Sequence, residues 1–121
     1  MDKIFDQISY LLFGSKENDI SILLDKNLDY FHRDAAAESL LKRDYDANTL
    51  AAFFRVASDP TESVDLLEEC GEDLAIVWTA LDQCPATEDL NRLRPEARAH
   101  AYAIIKSRKP AWLKNRGQRP N

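Results

Sequence analysis

Glycine is scarce in this chain, three in 121 residues, and no stretch alternates strictly between apolar and polar side chains. Strands and tight hairpins are therefore not expected, because hairpin turns draw on glycine and half-buried strands need period-two patterning. The two cysteines, Cys70 and Cys84, have no histidine cluster near them, which argues against a zinc site and against a disulfide framework. Reduced thiols in a cytoplasmic protein are the simpler expectation. The two histidines, His32 and His100, stand in no H-E-x-x-H motif, and neither a nucleophile elbow nor a glycine-rich phosphate loop occurs. No catalytic residue, metal ligand or cofactor is expected, an enzyme is the least favoured class, and each histidine reads as a helix-surface or inter-helix residue. No run approaches the roughly 20 apolar residues of a membrane span. The opening residues carry Asp2 and Asp6 and only a broken apolar stretch, which is not the pattern of a signal peptide.

What is present is a spaced recurrence. Arg33, Ala36 and Leu40 return as Leu67, Cys70 and Leu74 after 34 residues, and as Arg98, Ala101 and Ile105 after a further 31. A period of that size predicts stacked helical hairpins. With 45% hydrophobic residues, the chain suits one helical-repeat domain over residues 1–109, followed by a basic tail over 110–121.

The punctuation of the sequence places six to seven helices. A first from about Asp2 to Phe13 has Ile4, Phe5, Ile8, Leu11 and Leu12 on one stripe and stops at Gly14. A second covers about Asn18 to Lys26, a third runs from near Asp29 to Lys42, and a fourth spans Ala47 to Ala57 before the stop at Ser58, Asp59 and Pro60. Thr61 or Ser63 then caps a long helix reaching Leu81 or Asp82, with Val64, Leu67, Cys70, Gly71, Leu74, a core Trp78 and Leu81 along one face. A short helix around Glu88 to Leu93 leads to Pro95, which suits the first turn of a final helix to about Ser107.

Small residues fall at matching repeat positions: Ala36 and Ala37, then Cys70 and Gly71, then Ala101. A neighbouring helix can approach closely there. On the runs RDAAAESLLKRDYDANTLAAFFRVASDP and LRPEARAHAYAII, the chain resembles the HEAT-like, armadillo-type helical-repeat family over roughly residues 16–108. The resemblance implies an all-α, short right-handed stack of antiparallel helical hairpins. It also implies a ladder from an aspartate after one helix to an arginine on the next. Asp59 keeps the first half of that ladder, but Leu67 stands where Arg33 and Arg98 stand in the other copies.

Charge divides sharply. Residues 1–90 hold 20 acids and 7 bases, net -13, while residues 91–121 hold 1 acid and 9 bases, net +8. No lysine or arginine lies between Arg55 and Arg92, whereas ten acids do. At about 100° per residue, Glu62, Asp65, Glu69 and Glu72 form a stripe roughly 80° wide opposite Leu67. Like charges at helical spacing cost a few tenths of a kcal/mol per pair, so a helix carrying them is a candidate for display to a basic partner, the plain alternative being a solvated surface. By the 34-residue offset Asp65 matches Phe31 and Glu72 matches Glu38. Phe31 beside the carboxylates has the layout of an interface anchor with a polar rim, the alternative being inter-helix packing with Tyr30.

In size and charge the chain also resembles the small acidic immunity proteins of bacterial toxin systems such as contact-dependent growth inhibition. That resemblance implies a cytoplasmic protein, monomeric when free, that neutralises a basic toxin domain such as a nuclease. The partner-binding residues are then Phe31, Glu38, Glu62, Asp65, Glu69 and Glu72. Two other classes stay open. One is a nucleic-acid-directed module using Arg92, Arg94, Arg98, Lys106, Arg108 and Lys109, or its converse, an acidic DNA mimic; the other is a protein-interaction adaptor. Trp112 in the basic tail fits stacking on nucleic acid, or, with Leu113, folding back to cover the end of the repeats while the basic residues approach the acidic helix.

Overall fold

The computed structural model describes residues 15–117, and every regular element among them is a helix. The helix expected over 2–13 and the last four residues of the chain lie outside this range. The chain divides into two compact units, Met1–Asp44 and Tyr45–Asn121.

In the first unit, α1 (Lys16–Leu24) packs against α2 (Tyr30–Leu41). Both starts are local chemistry. Ser15 Oγ accepts from the Asn18 amide at 3.1 Å and Asp29 Oδ1 from the His32 amide at 2.9 Å, each satisfying an N–H that the helix leaves open. The Ser15 cap explains why α1 begins two residues before Asn18. Leu23, Ala37 and Leu40 are fully buried, and Ala36 nearly so. Two buried polar side chains knit the pair. Asp19 Oδ2 accepts from Ser39 Oγ at 2.7 Å and from Arg43 Nε at 3.0 Å, and Arg33 donates from Nε to the Leu23 carbonyl at 2.8 Å. Arg33 thus brings positive charge to the C-terminal end of α1, where carbonyls lack intrahelical partners.

The backbone bond from His32 to Asp29, followed by the side-chain bond at 2.8 Å, holds the Asp29 carboxyl below its ordinary value. A depressed carboxyl stabilises the fold above its unfolded value, near pH 4, and loses that contribution as the pH falls through its folded value. Asp29→Asn keeps a good cap but removes the charge. The variant is expected to melt slightly below the wild type at neutral pH and to converge with it under acid, as thermal melts between pH 7 and 3 would read.

The second unit holds α3 (Ala47–Ala57), α4 (Val64–Leu81), α5 (Thr87–Arg92), α6 (Pro95–Arg108) and α7 (Ala111–Gly117). Asp46 caps α3 through the Thr49 amide, Ser63 caps α4 through the Leu66 amide, and Pro95 occupies the first turn of α6. The chain leaves α3 through an aspartate turn in which Asp59 Oδ1 accepts from the amide and hydroxyl of Thr61. It leaves α4 through Asp82 in the left-handed region, φ 55°. The segment read as a tail opens with α7, which packs against α6.

Within this unit α4 is central, packing most extensively against α6 and next against α3. Leu66, Leu67, Cys70, Leu74, Ala75, Val77 and Trp78 of α4 share a core with Phe53 and Val56 of α3 and with Ala97, Ala101 and Ile105 of α6. The α4–α6 approach is set by Gly71. A Cβ there would lie 2.6 Å from the Ala97 Cα and 2.7 Å from its carbonyl carbon, inside the distance that a Cβ keeps from a neighbouring backbone.

The repeat arginine has the same task in both units where it occurs. Arg98 donates from Nε to the Leu90 carbonyl at 3.2 Å and from Nη2 to the Leu93 carbonyl at 2.8 Å, finishing α5 as Arg33 finishes α1. Where Leu67 replaces arginine, the end of α3 is closed otherwise. Ala57 accepts from the backbone amide of Arg94 at 2.9 Å, and Phe54 accepts from both the Ser58 amide at 3.0 Å and the Ser58 hydroxyl at 2.7 Å. Leu67 itself is buried in the core.

Candidate functional site

The acidic helix is more enclosed than a surface helix. Ten of the 18 residues of α4 are buried, because the α6-facing flank of Leu67, Gly71, Leu74 and Trp78 and the flank of Leu66, Cys70 and Val77 are both covered. Between these flanks runs one open strip. Asp65 is exposed on it, while Glu68, Glu69, Glu72 and Ile76 are half-buried.

Glu62 does not belong to the strip in the way helical spacing implies. The helix begins at Val64, so Glu62 lies in the preceding turn, its amide bonded to the Asp59 carbonyl and its Oε1 accepting from the Ser63 amide at 3.2 Å. Asp73, one of the ten acids between Arg55 and Arg92, is 1% exposed and so removed from the face. Asp65, Glu69 and Glu72 remain on it, with Glu68 added at its edge.

The second group that sequence spacing does not reveal is His100. It projects from α6 between two carboxylates one turn apart, with Nε2 3.4 Å from Glu68 Oε2 and Nδ1 3.6 Å from Glu72 Oε2. This is the inter-helix histidine reading, with acidic neighbours. These groups are 40–45% exposed, and ion pairs at such positions contribute on the order of 0–1 kcal/mol. Glu68 and Glu72 thus each lie beside a ring nitrogen of His100, while Asp65 stands a turn or more away on the open side.

Phe31 and Glu38 belong to the first unit. Phe31 is 79% exposed and meets Tyr30 edge-on, ring centroids 5.7 Å apart. It is not packed between helices. Glu38 is exposed two turns further along the same face of α2.

Of the six basic residues that suit nucleic acid, two have side chains with structural work. Arg98 finishes α5, and Lys109 Nζ lies 3.1 Å from Asp82 Oδ1, at the C-terminal end of α4, and 6.0 Å from the Trp112 ring centroid. Lys109, just before the tail, thus meets the residue that closes α4, and Trp112 and Leu113 are half-buried. Arg92, Arg94, Lys106 and Arg108 are exposed, and Arg92, Lys106 and Arg108 fall in the last turns of α5 and α6, where positive charge complements the helix dipole.

Cys70 is buried and Cys84 exposed. Among the described residues no group of three or more His, Cys, Asp or Glu is placed to hold a metal ion, and no helix is long and apolar enough to cross a membrane. Comparison with protein-family models, with curated proteins and with solved structures gave no match.

Proposed function

We propose that this chain is a stoichiometric binding protein that captures a cationic protein on the open strip of α4. Its biological role on this reading is that of an immunity protein neutralising a basic toxin domain. One observation carries the reading. From Arg55 to Arg92 the sequence has no positive charge and ten acids, and the part of α4 left open after folding presents Asp65, Glu69 and Glu72. Such a field accelerates encounter with a basic partner and weakens as salt rises. The immunity role rests on the resemblance in size and charge.

The test begins with identification. The purified chain is used as bait, and a cationic protein retained at low salt and released at high salt is the expected partner. A secreted protein with a basic C-terminal domain encoded beside this chain is the first candidate, and co-expression with that domain should restore growth. Against the captured partner, the triple variant Asp65→Lys, Glu69→Lys, Glu72→Lys should lose affinity about 100-fold or more, since each reversal replaces attraction by repulsion. Its helical circular dichroism should match the wild type. Unchanged affinity in the triple variant would overturn the assignment of the face, and retention of polynucleotide in place of a basic protein would overturn the function.

A further inference from the structure

We draw no further inference here: the strongest candidate, the cluster of Glu68, Glu72 and His100 where α6 packs on α4, belongs to the acidic face already described.

Discussion

Gly71→Ala is expected to destabilise the fold although it adds a single methyl group. On helix propensity alone it should help, by about 1 kcal/mol, because alanine is the best helix former and glycine among the poorest. Packing decides the opposite. The added Cβ would meet the Ala97 backbone at 2.6–2.7 Å, and a backbone on an opposing helix cannot swing aside as a flexible side chain can. Forcing volume into a tight core typically costs about 1–3 kcal/mol, and here the relief requires moving α6 as a body, so the upper end applies and a net loss of about 2 kcal/mol is expected. For a chain of this size that lowers the melting temperature by about 8 °C. Thermal and guanidinium unfolding followed by circular dichroism would measure it. A melting temperature equal to or above that of the wild type would mean that α4 and α6 do not approach through Gly71 at all. Because α6 carries His100, the same variant should also disturb the contacts of Glu68 and Glu72.

Leu67→Arg should be destabilising for a reason that sequence comparison within the chain conceals. The substitution restores the arginine found at Arg33 and Arg98, and a consensus argument would predict a gain. Those arginines, however, donate to carbonyls at the end of the preceding helix, Leu23 for Arg33 and Leu90 and Leu93 for Arg98. At the end of α3 the Ala57 carbonyl already accepts from the Arg94 amide, and Leu67 is 3% exposed within the core. A guanidinium placed there would be buried without its acceptor, at a cost of about 3–5 kcal/mol, a large share of the roughly 5–15 kcal/mol that holds a domain folded. The reciprocal change, Arg98→Leu, removes charged donors from the α5 carbonyls and should cost about 2–3 kcal/mol. Denaturant midpoints for both variants discriminate. If Leu67→Arg is neutral while Arg98→Leu is destabilising, the carbonyl at Ala57 is open to a side chain after all.

The two substitutions also mark where the sequence was readable. Helix starts were legible because capping bonds reach only two or three residues: Asp29 to His32, Asp46 to Thr49 and Ser63 to Leu66. The helix from Ala47 to Ala57 therefore matches its expected bounds, and the all-α class follows from the same signals. The stripe of Asp65, Glu69 and Glu72 was legible because it depends on spacing within one helix. Glu62 falls outside that stripe because helical spacing starts only after the cap at Ser63. The carboxylate partners of His100 and the Arg94–Ala57 bond were not legible because each contact joins groups far apart in sequence, and nothing in either residue's neighbours announces it. Ala111–Gly117 read as tail on its charge, whereas its helix packs against α6.

The hydrogen bond from Arg94 to Ala57 bears on how such a chain can change in length. A hairpin whose first helix is finished by its own second helix, as Arg33 finishes α1 and Arg98 finishes α5, carries everything needed to be copied and inserted elsewhere. The hairpin of α3 and α4 does not, because the last carbonyl of α3 is closed by the amide that opens α6. Duplicating it alone would leave the copied Ala57 carbonyl without that donor, and excising it alone would take the acceptor from the Arg94 amide, so this middle piece depends on its successor.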